Sequence, residues 1–103
     1  MSDQPANAAR GEATLMINGV QLALRPSFAA LVAVEEELGS LFAMIERATA
    51  GQLKFSEIVA LFWHLQRDTK ISRATIGDHL ATCGLAAVTP IIKQIFQQIL
   101  AGR

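Results

Sequence analysis

The stretch TLMINGVQLALRPSFAAL, residues 14–31, decides the architecture, because it reads as a β-hairpin running directly into a helix. Asn-Gly between two alternating runs is the strongest short-range hairpin signal, since a type I′ turn needs positive φ at both central residues. With Asn18-Gly19 as the two-residue loop, Ile17 faces Val20, Leu15 faces Leu22 and Ala13 faces Leu24. Side chains alternate along a strand, so these six form one apolar face. The other face pairs Glu12 with Arg25, Thr14 with Ala23 and Met16 with Gln21, and is mostly polar. A slip of one residue would destroy this sorting, which specifies the register. Two strands alone are marginal in water. The apolar face must therefore lie on helices or meet another chain, and the ribbon's two open edges offer pairing to a further strand.

Working outward, Ser27 can cap a helix that runs to Leu38, with Gly39 as its left-handed stop. Phe28, Leu31, Val32 and Leu38 lie on one flank. The run Glu35–Glu37 sits at the wrong end for the helix dipole and reads as a solvated face. Ser40 can open a second short helix, about Leu41–Ala50, ended by Gly51. A third covers about Phe55–Arg67. At ~100° per residue, Phe55, Ile58, Val59, Leu61, Phe62, Trp63 and Leu65 sweep an arc of about 200°. Glu57 and His64 hold the opposite side. So wide an arc predicts a central helix touched from several sides. Trp63, at the arc's edge, reads either as core or as an aromatic for a partner.

Ser72 can cap a fourth helix to about Thr82, closed by Gly84, and a fifth runs to about Ala101. Its stripe is Ile91, Ile92, Ile95, Phe96, Ile99 and Leu100, with Lys93, Gln94, Gln97 and Gln98 opposite. It opens either at Thr89-Pro90, a cap plus first-turn proline, or just after Gly84 with Pro90 tolerated early. The predicted fold is mainly α: an N-terminal β-hairpin at about residues 12–25, packed on a bundle of about five short helices. Residues 1–10 read as a flexible polar tail and 11–103 as a single helical domain.

The bulk properties agree. A chain of 103 residues, 51% hydrophobic and 17% charged, fits one core-rich domain. Nine basic and nine acidic side chains cancel, so no net field draws the chain to nucleic acid or to an anionic membrane. The lone Cys83 excludes an intrachain disulfide and points to a reducing cytoplasm. The longest apolar runs, FAALVAV and IVALFW, fall far short of the ~20 residues a spanning helix needs. The opening MSDQPANAARGE has no apolar signal-peptide core.

Catalysis needs convergent polar groups, and few are present. His79 and Cys83 are four apart, a spacing that could hold two metal ligands, but only His64 could join them and zinc sites use three or four protein ligands. No nucleophile pair, oxyanion donor or Gly-rich phosphate loop stands out. No enzymatic activity, cofactor or metal is expected. The segment TIGDHLATCGLAAVTPIIKQI, residues 75–95, has helix–turn–helix spacing around Gly84. Pro90 would fall inside its recognition helix, whose one basic residue is Lys93, whereas phosphate contacts need several.

The order of pieces carries more. A hairpin, GEATLMINGVQLALRPS, leads to FAALVAVEEELGS, a helix with acidic residues before a stopping Gly. LFAMIERATAGQLKFSEIVALFWHLQR then runs from a short helix through Gly into a long apolar one, and ISRATIGDHLATCGL leads to the closing amphipathic helix. This resembles the small proteins of gene transfer agents and related siphophages encoded between the major tail protein and the tape-measure protein. That family is labelled both as a tail tube protein and as a tail assembly chaperone. The resemblance covers about Gly11 to Ala101, anchored by the hairpin, Glu35 with Gly39, Gly51 with Leu53, and the break at Gly84. Lys54 departs from it, since relatives tend to carry a capping Ser or Thr there, which leaves the start of the third helix open.

The resemblance implies a non-enzymatic, cytoplasmic role in phage-type tail assembly inside a bacterial host cell. Such chaperones coat the hydrophobic tape-measure protein before tube subunits polymerise around it, and are generally absent from the finished particle. A tube subunit would need an extensive β-sandwich or barrel, which one hairpin and five helices do not supply. A tail assembly chaperone is therefore the leading expectation. A tail structural component and a small helix–turn–helix-like DNA-binding regulator are the alternatives. Expected partners are the tape-measure protein, tail tube subunits and further copies of the chain, with neither nucleic acid nor membrane. Tape-measure proteins are long and helix-rich, so helix-in-groove binding is the natural mode. The expected contact residues are Trp63, Phe96 and Leu100, at the margins of wide apolar arcs and flanking one shared exposed strip.

Overall fold

A computed structural model describes residues 13–67 and 71–102. Strand β1 (Ala13–Ile17) pairs antiparallel with β2 (Val20–Leu24), and Ile17, Leu15 and Ala13 lie opposite Val20, Leu22 and Leu24 as predicted. Asn18 at φ 51° and Gly19 at φ 80° form the turn between them. Five of the six inward residues are buried, while Val20, beside the turn, stays 48% exposed. The expected pair Glu12–Arg25 and the polar tail fall outside the described residues.

The hairpin does not keep two open edges. The chain leaving the third helix lies against β2: the Arg25 N–H donates to the Leu65 carbonyl at 2.7 Å, the Arg67 N–H donates to the Ala23 carbonyl at 2.9 Å, and Gln66 bridges to Leu24. Those contacts correct the expected helix end at Arg67. The helix stops at Leu65 and Gln66 turns extended, because the Leu65 carbonyl and the Arg67 N–H on either side of it serve the β2 edge instead of another helical turn. The Gln66 side chain then accepts from the Ile71 N–H at 2.8 Å and donates to the Ile71 carbonyl at 3.1 Å.

Helix α1 (Phe28–Leu38) starts where Ser27 Oγ accepts from the Ala30 N–H, and ends where Gly39, at φ 90°, donates to the Glu35 carbonyl. Its inward face differs from the expected flank. Val34 is fully buried, Leu31 and Leu38 are half-buried, Val32 is exposed and Phe28 is 85% exposed. The helix is rotated by what it packs on, chiefly the third helix, and its own periodicity carries no such information. Helix α2 (Leu41–Thr49), capped by Ser40, buries Met44. Helix α3 (Phe55–Leu65) is the centre of the bundle. It buries Ile58, Val59, Ala60, Leu61, Phe62 and Leu65 and packs on α1 and α4.

Lys54 precedes α3 in extended conformation, and the Glu57 carboxylate accepts its backbone N–H at 2.9 Å. Glu57 thus makes one half of a capping box, while the other half, a bond from the N3 N–H to a Ser or Thr hydroxyl, has no side-chain acceptor at Lys54. Helix α4 (Arg73–Cys83) is capped by Ser72 and buries Ile76 and Leu80; Gly84 at φ 88° ends it. Helix α5 (Leu85–Ala101) begins directly after Gly84, and of the two openings the chain takes the one that leaves Pro90 inside the helix. Pro90 cannot donate to the Ala86 carbonyl, but both residues are exposed and water can serve that oxygen. Val88, Ile92, Ile95 and Phe96 are buried, and α5 lies against β1 and α4. One core results, closed on one side by the hairpin's apolar face.

Candidate partner-binding site

Helix α2 packs chiefly on α1, whereas α5 packs chiefly on α4 and β1. Between them lies an open trough of about 700 Å³, floored by Ile58 of α3. Its α2 wall is Ile45, Ala48 and Thr49, and the loop after α2 adds Gly51 and Leu53. The α5 wall is a row along one side of the helix: Leu85, Thr89, Ile92, Phe96 and Leu100. At ~1.5 Å per residue this row is about 22 Å long, the length of a four-turn helix. The lining is mainly apolar, and Lys93 is its one charged residue.

Two of the three expected contact residues lie here. Phe96 is nearly buried and presents its remaining surface to the trough, while Leu100 is 57% exposed at the trough's end. Trp63 is not in the lining, so the expected single strip through all three residues is not what the structure places. The Trp63 ring lies under the Arg73 guanidinium, 4.4 Å from its carbon, and edge-on to the His64 ring at 4.9 Å. There it belongs to a clasp between α1, α3 and α4. Periodicity missed Ile45, Leu53 and Leu85 as trough residues. The spacing of Leu85, Ile92, Phe96 and Leu100 carries a signal for the α5 wall once the helix is started at Gly84; nothing local marks the wall across from it.

The clasp is electrostatic at its outer end. Arg73 makes two contacts to Glu37, at 2.6 and 2.7 Å, and His64 Nε2 lies 2.7 Å from Glu37 Oε1. These neighbours, Arg73 above all, hold the Glu37 carboxyl down at about 2. The acidic run is therefore not simply a solvated face: Glu37 ties three helices, and Glu35 accepts from the Leu41 N–H at 3.0 Å. Likewise Glu57 binds Arg47 of α2 at 2.7 Å, which with the Lys54 N–H keeps its carboxyl below the usual range.

No catalytic constellation forms from these groups. Among the described residues no three His, Cys, Asp or Glu side chains converge as metal ligands, and His64, the third candidate beside His79 and Cys83, is engaged by Glu37. Helices α4 and α5 meet at 118°, yet Lys93 is the sole basic residue on α5 among those described. No single described helix is long and apolar enough to cross a membrane.

A family model described as "Phage tail tube protein, GTA-gp10" matches residues 10–102. No curated protein and no solved structure matches significantly.

Proposed function

The chain belongs to the phage tail family described as tail tube protein, GTA-gp10, and on that premise we propose that it is a tail assembly chaperone that holds the tape-measure protein before the tube closes around it. The observation that carries this reading is the open apolar trough between α2 and α5, sized for one amphipathic helix. Exposed apolar concavities of this kind mark partner sites more often than chance surface. The competing reading, a tail structural component, takes its support from the family's own description. A tube wall needs subunits whose sheets join around a ring. The described residues offer a two-stranded ribbon and one isolated bridge, which favours the chaperone.

Co-expression with a tagged tape-measure protein, followed by pull-down and by mass spectrometry of purified particles, separates the two. The chaperone reading expects capture with the tape-measure protein and absence from particles. A stoichiometric ring of copies in the particle, without capture, would establish the structural component instead.

A further inference from the structure

We infer that the trough selects an amphipathic helix carrying a carboxylate opposite Lys93, so that Lys93 sets the register of the bound helix; the inference rests on the trough being the client site. The argument is charge complementarity inside an apolar frame. The basic side chains of Arg47 and Arg73 are already bonded to Glu57 and Glu37. Lys93 has no ion-pair partner among the described residues, and no acidic side chain lines the trough. Thr89, Lys93 and Gln97 recur every four residues and form one polar rim along α5. The apolar row beside them runs Ile92, Phe96, Leu100. A helix seated on that row brings its flank past Lys93 about midway along the wall, where one Asp or Glu meets the ammonium.

An apolar trough alone would accept such a helix in either direction and in several registers one turn apart. A single charge on one rim breaks that degeneracy, because a reversed helix turns its carboxylate toward Ile45 or Leu53, and a helix slipped by one turn leaves it beside Thr89 or Gln97 without a charged partner. The second wall, from α2, contributes only Ile45, Ala48 and Thr49, so the recognition is one-sided.

The test uses the full chain and synthetic 20-residue peptides tiling the tape-measure protein, with binding followed by calorimetry at low and high salt. Peptides that bind should share an acidic residue on the flank of an apolar stripe. Lys93→Glu should weaken them by about two- to fivefold or more, as exposed ion pairs do. A peptide with that acid changed to Lys should bind Lys93→Glu better than it binds the parent. The salt dependence of binding should fall in Lys93→Gln. If peptides bind, Leu100→Gln weakens them, and Lys93→Glu changes neither affinity nor salt dependence, the charge has no part and this inference is overturned while the client site stands. If no peptide binds, both fail. Sedimentation closes the remaining route: a parent chain that is dimeric and becomes monomeric with Leu100→Gln would mean that a second copy fills the trough, which also overturns the proposal.

Discussion

Arg73 grips Glu37 through both terminal guanidinium nitrogens, Nη1 to Oε2 at 2.7 Å and Nη2 to Oε1 at 2.6 Å, across 36 residues of sequence. The pair joins the first turn of α4 to the last turn of α1, and the same guanidinium stacks on Trp63 of α3. A bidentate fork fixes orientation as well as distance. The central helix α3 and the two helices packed on it, α1 and α4, are thereby held at their outer ends, while the apolar core holds them beneath.

The clasp should make stability depend on acid. Glu37 is lowered from 4.5 to about 2 in the folded protein. A depressed carboxyl contributes stability that is complete above its unfolded value and is lost as pH falls through the folded one. The carboxylate is over a third exposed, so solvent screening keeps the effect small. Glu37→Gln is expected to lower the thermal midpoint by ~2–4 °C at pH 7. Melts of both proteins at pH 2 should differ far less; an equal gap at both pH values would mean the loss is packing rather than charge.

Gly19 tests the turn. It sits at φ 80° with open space where a Cβ would project, so strain there is backbone strain without a clash. Gly19→Val is expected to cost about 1–2 kcal/mol. Urea melts reading no loss would show that the hairpin closes elsewhere.

Pro90 stands inside α5 without an N–H for the Ala86 carbonyl. It is exposed, so replacing it opens no cavity. Pro90→Ala restores the helical bond, and the gain should exceed the ~0.5–1 kcal/mol of unfolded-state entropy that proline suppresses. A net stabilisation of about 1–2 kcal/mol is expected in the same melts. A lower midpoint would show that the ring makes packing contacts worth more than the bond.

What could be read from the chain follows from the range of the forces involved. The register of β1 and β2 was legible because Asn18-Gly19 and strict alternation act within twelve residues. The caps at Ser27, Ser40 and Ser72 were legible for the same reason: each hydroxyl reaches only three residues on. The end of α3 was not, because Gln66 leaves the helix for an edge more than forty residues earlier. Nor was the buried face of α1, where Val34 and not Phe28 points inward. Trp63 lies at the margin of an apolar arc as read, but what covers that margin is Arg73, placed there by Glu37. The trough was half legible. Phe96 and Leu100 were found from the stripe of α5, while the α2 wall depends on α2 and α5 each packing chiefly on other elements.

The last prediction separates folding from binding along that stripe. Phe62 has no exposed surface, Phe96 keeps a little toward the trough, and Leu100 is mostly in water. Polar replacement should therefore grade in the same order. Phe62→Gln removes a core aromatic and buries an amide without a partner, a loss of about 3–5 kcal/mol or more. Against a total stability of roughly 5–15 kcal/mol this threatens the fold. Phe96→Gln should fall between, since its amide can turn toward the trough and find water. Leu100→Gln should leave the melt within ~0.5 kcal/mol of the parent, as exposed changes usually do. If the trough seats the tape-measure helix, Leu100→Gln should nonetheless weaken capture about fivefold or more, because about 1 kcal/mol of apolar contact is lost only in the complex. Parallel melts and pull-downs of the three variants read both quantities. A Leu100→Gln protein that folds normally and captures normally would place the client elsewhere, with the outer edge of β1 the next surface to examine.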